Sequence, residues 1–381
     1  MNFHLSEEDR LLVEGVREFC EREIVPHAAA WDEQGAMPAD LPRRLAELGL
    51  LGLELPEEVG GVGLSAVAGV AVVAELGRAC AALSLSVSAH NTLVAGFLRR
   101  AGDPAQRRAF LPALAEGRML GAFALSEAGA GTDARSIETV ARRAADGFVL
   151  SGRKQTITHA TVAGLYLVVA RLEQADGPLA VFAVEADRPG IHADRVATLG
   201  MCACDVGDVL FDGVALPKSA LVGDPAEAWE HLKAVLDRGR MNVAAMATGL
   251  VEASFVAARD YARQRRQFGR PIADYQAIQW KLADMATALE AARLLVYHAA
   301  WAHDRGARTR EAAARAKVFA AEAAVRAAND AIQIHGGYGY TREYPVERYL
   351  RDARLCGLGE GTNDAMRIVL GRGIARRFGA A

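Results

Sequence analysis

Short apolar runs set off by turn residues occupy the middle of this chain, with long helical patterns on either side. Phe148-Val149-Leu150, Leu165 to Ala170 and Leu179 to Val184 are such runs. Asp146-Gly147, Asp176-Gly177-Pro178 and Arg188-Pro189-Gly190 separate them, and Asp208 to Phe211 ends in Asp212-Gly213. Apolar runs punctuated in this way read as strands. Ordinary α/β folds alternate strands with helices, so a block of strands between two helical blocks argues for a β domain of its own. The chain is 381 residues long, which fits two or three domains. Changes of texture after Gly121 and near Glu227 put the domains at 1–121, 122–226 and 227–381.

Local signals support the helical blocks. Ser6 with Glu7, Glu8 and Asp9 is an N-cap with an acidic first turn, and Pro26 ends the run that follows. Leu41 to Leu48 stops at Gly49, and LPEEVGGVGL (55–64) is a Pro/Gly-punctuated loop. Val67 to Gly77 and Leu83 to Arg100 resume the helical pattern, and Asp103-Pro104 opens a helix towards Leu114. In the last third, Ala277 to Arg305 and Thr309 to Ile334 are long Ala-rich helices. Ile278, Leu282, Met285, Leu289 and Leu295 form an apolar stripe. Long helices of this kind suit a four-helix bundle; no heptad seam and no 20–50-residue repeat is visible.

A net charge of -3 argues against a nucleic-acid partner. Cys20, Cys80, Cys202, Cys204 and Cys356 are odd in number and scattered, as expected of free thiols in a reducing, cytoplasmic setting. Cys202 and Cys204 lack the spacing and the second pair of a zinc site, so no metal is expected. The N-terminus is amphipathic and acidic, unlike a signal peptide. The apolar stretch Val62 to Ala74 is shorter than the ~20 residues that a bilayer needs, and reads as a core helix.

Three polar clusters stand out. Ala124 to Asp133, ALSEAGAGTD, joins small residues to hydroxyls, which suits a backbone approached by phosphate or by a polar ring edge; a plain turn is the other reading. Gln333 to Tyr340, QIHGGYGY, has more glycine than a helix stop requires. Glu360, between Gly359 and Gly361, stands near Leu355, Leu358 and Ile368. In an apolar pocket it would be a base with a raised pKa; on an open loop it would be an ordinary solvated glutamate.

Residues 124–136 and 333–352 resemble the two signatures of the acyl-CoA dehydrogenase family, closest to its short- and medium-chain members. The likeness extends to LPEEVGGVGL (55–64), YARQRRQFGRPI (261–272), Gln276-Ala277-Ile278-Gln279 and RDARLCGLGEGTND (351–364). The fold expected is α+β multidomain: an N-terminal helical domain, a central, barrel-like β domain that binds flavin and a C-terminal four-helix bundle. The resemblance implies FAD, fatty acid metabolism and a homo-oligomer, usually a tetramer. Phe123, Leu125 and Ser126 would line the flavin ring, Gly131 and Thr132 would meet the pyrophosphate, and Thr158 would reach flavin N5. Arg265, Phe268, Gln333, Gly336 and Gly337 would bind the adenosine and pyrophosphate end across a subunit interface, and Thr362 would also touch FAD.

Glu360 matches the family's catalytic base, which takes the α-proton of an acyl thioester while a hydride passes from the β-carbon to flavin N5. The position used for the base by other members is Gly239. Asp237, Arg240 and Gly361 match substrate-side residues. Two departures bear on specificity. Thr156, on the flavin side, stands where members usually carry an aromatic that shields the flavin and faces the electron-transfer flavoprotein. Gly359 replaces a residue that is often Tyr, which leaves room for a branched or cyclic acyl group. Acyl-CoA is the substrate expected. An acyl group on an acyl-carrier protein is the second reading. A non-catalytic or nucleic-acid-associated flavoprotein is the third, opposed by the charge and by Glu360.

Overall fold

The computed structural model describes residues 3–173 and 176–378. Seven α-helices come first: α1 (Glu7–Phe19), α2 (Ala28–Gln34), α3 (Leu41–Glu47), α4 (Ala66–Ala79), α5 (Ala81–Ser88), α6 (Gly96–Ala101) and α7 (Pro104–Ala115). The local signals explain several starts. The Ser6 hydroxyl accepts the Asp9 N–H at 3.0 Å, and Asp103 and Gln106 form a reciprocal capping box. The Asp304 carboxylate, distant in sequence, accepts the Ala66 N–H at 2.7 Å at the start of α4. Wider π-helical turns over Cys20–Ile24 and Ala89–Ala95 interrupt this block. The second carries His90, Asn91 and Thr92 inward, in the pattern by which π-turns often mark functional sites.

The strand block forms one sheet: β1 (Gly121–Ala124), β2 (Val140–Ala144), β3 (Gly147–Thr158), β4 (Leu165–Leu172), β5 (Leu179–Glu185), β6 (Ile191–Arg195), β7 (Val206–Pro217) and β8 (Leu221–Val222). Its order is β6-β7-β3-β2-β4-β5-β8, with β1 parallel to β4. Among the described residues the hydrogen-bonded path ends at β6 and β8, so an open sheet is seen and no closed barrel is shown. Strand pairing is set by contacts between residues remote in sequence, so apolar runs and turns alone could not distinguish the two.

Then come α8 (Ala228–Gln264), the small hairpin β9 (Arg266–Gln267) and β10 (Arg270–Pro271), and α9 (Gln276–Asp304), α10 (Arg310–His335), α11 (Val346–Cys356) and α12 (Asn363–Phe378). One hydrophobic core joins the first and last helical blocks, from Val16, Leu76 and Leu83 to Met246, Val296 and Ala320. A second seats Phe97 and Leu114 against Leu165, Val169 and Val181 of the sheet. Ala81–Ala101 and Ala228–Gln264 are long and apolar enough to cross a bilayer, a property that the sequence reading assigned to no segment. In the most apolar 18-residue stretch of each, 89% and 78% of the residues are buried within the protein, as in core helices.

Candidate active site

Glu360 lies in the turn between α11 and α12, at φ +54°, and Gly361 follows at φ +94°. A left-handed non-glycine residue costs about 1–3 kcal/mol and persists only where its surroundings hold it. Here they do: Arg240 Nε donates to the Glu360 carbonyl at 3.1 Å, and Lys317 Nζ donates to that of Gly361 at 2.5 Å. The carboxylate reaches over to α8 beside Gly239, where a Cβ would overlap Glu360 Oε2. Oε2 is sealed from solvent and has no hydrogen-bond partner among the described residues. Burial pushes the carboxyl up to about 7, against the lowering pull of Arg240, Lys317 and Arg238. A carboxylate with one oxygen desolvated and a raised pKa can accept a proton from a weak acid.

Asp237 and Arg240 pair at 2.5 Å one turn apart on α8, and burial raises the Asp237 carboxyl despite that partner. Between them Arg238 turns away to Glu54 and Asn242, and Asn242 donates to Thr92 at 2.8 Å. The same π-turn carries His90, whose Nδ1 accepts the Gly121 N–H at 3.2 Å. The Ala89–Ala95 turn thus bridges α8 to the start of the sheet.

Phe123 and Leu125 are buried at the end of β1 and just beyond it, while Gly131 and Thr132 are exposed. Among the described residues the Ser126, Thr132 and Thr158 hydroxyls hydrogen-bond no protein group, and a Cβ on Gly129 or Gly131 would meet nothing within 4 Å. An open backbone with spare hydroxyls beside it suits a phosphate-bearing ligand. Behind the loop lies an ion pair that the sequence reading missed. Lys154, fully buried on β3, donates to the Leu125 carbonyl at 2.9 Å and to Glu127 at 2.6 Å. Glu127 also accepts from the Glu138 and Thr139 N–H groups and from the Thr139 hydroxyl. Burial pushes the Lys154 amine down to about 8, opposed by Glu127. His159 was missed as well: buried next to Thr158, it meets Ser86 Oγ at 2.5 Å through Nε2 and the Gly121 carbonyl at 2.9 Å through Nδ1. The positive signal for each was slight, a lone Lys or His inside a strand-like segment.

Arg265, Phe268, Gln333, Gly336 and Gly337 gather elsewhere, at the far end of α8. Arg265, Gly336 and Gly337 line a cavity of about 540 Å³ with Tyr261, Gln267 and Tyr338. Gly336 sits at φ +63°, ψ −136°, which only glycine adopts without strain. Phe268 is 94% exposed. At a rise of 1.5 Å per residue, Arg265 stands about 40 Å along α8 from Gly239. One chain therefore keeps this group apart from Glu360.

Three expected site residues have local roles. The Thr362 hydroxyl accepts the Ala365 N–H at 3.2 Å, and so caps α12. Thr156 is exposed at φ +56° at a bulge in β3, and its hydroxyl donates to the Gln155 carbonyl at 2.7 Å. A Cβ on Gly359 would make only ordinary contacts with Leu355, the closest at 3.6 Å. Among the described residues no cluster of His, Cys, Asp or Glu could hold a metal, and all five cysteines are free.

Three family models match in chain order: the acyl-CoA dehydrogenase N-terminal domain over residues 6–118, the middle domain over 122–214 and the C-terminal domain over 229–375. A probable acyl-CoA dehydrogenase of Bacillus subtilis is 40% identical over 98% of this chain and 99% of its own. The benzylmalonyl-CoA dehydrogenase of Aromatoleum aromaticum is 40% identical over 98% of this chain and 100% of its own. Among solved structures, the butyryl-CoA dehydrogenase of Megasphaera elsdenii superposes with a TM-score of 0.95 at 34% identity, covering 98% of this chain and 100% of the other.

Proposed function

The chain belongs to the acyl-CoA dehydrogenase family, and from that premise we propose that Glu360 is the base of its FAD-dependent α,β-dehydrogenation of an acyl-CoA. One observation carries the reading: a desolvated, unpartnered carboxylate oxygen faces a glycine that leaves it room. The α-proton of a thioester is weakly acidic, so its removal needs a base titrating near the working pH and donors for the charge that develops on the thioester carbonyl. Glu360 fits the first need with a carboxyl raised to about 7. Its backbone N–H has no acceptor among the described residues and is free to serve the second. Arg240 keeps the turn that aims both groups.

The residues present fit FAD. The unpartnered hydroxyls of Ser126, Thr132 and Thr158 and the open backbone at Gly131 suit the flavin and its pyrophosphate, with Phe123 and Leu125 as apolar wall. When bound, FAD supplies the acceptor for the β-hydride. Arg265, Phe268, Gln333, Gly336 and Gly337 would serve the nucleotide end of the FAD held by another copy, since about 40 Å of α8 parts them from Glu360 of their own chain. This reading makes the protein a homo-oligomer, which we take to be a tetramer with each C-terminal unit (227–381) a four-helix bundle. Units 1–121 and 122–226 precede it. Asp237, Arg240 and Gly361 would border the thioester, Thr362 would touch FAD through atoms other than its capping hydroxyl, and Thr156 would face an electron-transfer flavoprotein. The test is an anaerobic reductive titration of the purified protein with straight, branched and cyclic acyl-CoAs. Bleaching of the flavin supports the reading, and an FAD-loaded protein that none of them reduces would refute it.

A further inference from the structure

Lys317, on α10, is fully buried, yet no carboxylate among the described residues lies within ion-pair distance of its ammonium. Its Nζ is spent on the Gly361 carbonyl at 2.5 Å and, more distantly, on Asn363 Oδ1 at 3.4 Å. An unpaired buried charge is costly, so a fold that keeps one needs a return for it. The groups whose charges bear on Lys317 are Cys356 of α11, Glu360 in the turn and Arg240 of α8. Burial holds the Cys356 thiol up to about 12, so it stays neutral, and Arg240 is a cation. That leaves Glu360 as the negative charge.

Two successive carbonyls of the left-handed turn are therefore held from opposite sides, that of Glu360 by Arg240 and that of Gly361 by Lys317. Resting on the reading of Glu360 as base, we propose that Lys317 is a positioning residue for it: its donated proton fixes the turn that aims the carboxylate past Gly239, and its charge offsets part of the cost of ionising that carboxylate. The other charged groups around the turn differ in their engagements. Asp237 and Arg240 neutralise each other, Arg238 pairs with Glu54, Glu322 of α10 pairs with Arg367, and Asp364 is exposed. Arg240 and Lys317 both bring positive charge towards Glu360, and of the two only Lys317 has no carboxylate within ion-pair distance among the described residues.

The test uses holoenzyme variants Lys317→Met, which removes donor and charge, and Lys317→Gln, which keeps a donor and drops the charge. Flavin content is measured first. The pH profile of single-turnover flavin reduction by butyryl-CoA and the pH dependence of the melting temperature follow. Loss of the charge should move both profiles to higher pH by about one unit. Lys317→Gln should keep a maximal rate closer to wild type than Lys317→Met. A flavin-loaded Lys317→Gln enzyme with both profiles unmoved overturns the inference. If Lys317→Met fails to fold, the Gln variant still decides it. Glu360→Gln, run alongside, separates the two readings. If it stays active, the base assignment falls. If it is inactive and the Lys317 profiles do not move, only the role of Lys317 falls.

Discussion

Glu360 and Gly239 share one space: a Cβ on Gly239 would stand 2.6 Å from Glu360 Cδ and overlap its Oε2. The base reading thus depends on a missing side chain in the interior of α8, where glycine costs about 1 kcal/mol relative to alanine.

Gly239→Ala should therefore lower activity in spite of the better helix propensity. The added methyl must displace the carboxylate from its place over α8, so flavin reduction by acyl-CoA should slow by at least about tenfold, a loss of about 1.4 kcal/mol in the barrier. Flavin content should stay at the wild-type level. A variant reduced at the wild-type rate would mean that Glu360 works from another position.

Glu360→Gln keeps the shape of the side chain and removes its basicity. Stopped-flow reduction should slow by about 10²–10⁴-fold or more with FAD retained; a rate within about threefold of wild type would point to another base. In the wild type the rate should rise with pH through about 7, as the carboxyl ionises, and level off above it. The linkage to stability has the opposite slope. A carboxyl raised from 4.5 to about 7 on folding binds its proton more tightly in the folded state, so stability falls as pH rises between those values and is constant outside them. Melting curves of the Gln variant should lack that fall.

Glu127→Ala leaves the Lys154 ammonium buried with only the Leu125 carbonyl. Removing one partner of a buried pair costs about 3–5 kcal/mol, and denaturant melts should show a loss of that order. Because the pair anchors the loop from Leu125 to Thr139, FAD affinity should drop as well. Full flavin occupancy with unchanged stability would deny the loop this anchor.

Arg265→Ala should reduce flavin content and weaken assembly together, since a guanidinium on phosphate oxygens makes charge-assisted bonds. Size-exclusion chromatography and flavin absorbance on the same sample decide it. Full occupancy in an unchanged oligomer would remove Arg265 from the nucleotide site.

Thr156→Trp should slow reoxidation of the reduced flavin in air. Thr156 is exposed at a bulge and covers little area, whereas an indole there would exclude water and oxygen. Wild-type reoxidation should be the faster of the two; equal rates would show that neighbouring groups already close the site. With no side chain at Gly359, where a Cβ would make only ordinary contacts, kcat/KM for isobutyryl-CoA or a cyclic acyl-CoA should at least equal that for butyryl-CoA. A strong preference for the straight chain would mean that the space is filled.

Much of this protein was legible residue by residue. The caps at Ser6 and Asp103, the long helices ending at Asp304 and His335 and the strands around Leu150, Val168 and Phe182 follow from turn chemistry and apolar period, which act over a few residues. The signature around Glu360 was legible too, but not the choice between a solvated loop and a dry pocket. That choice depends on Gly239, Arg240 and Lys317, which two other helices bring to the turn. The open path of the sheet, with β1 beside β4, the Lys154–Glu127 pair behind the loop that follows β1 and the inward π-turn at Ala89–Ala95 were out of reach for the same reason. Period and capping are properties of neighbours along the chain. Desolvation, pairing of remote strands and the pKa of a buried acid arise from groups that meet only when the chain has folded, and the base role proposed for Glu360 rests on those.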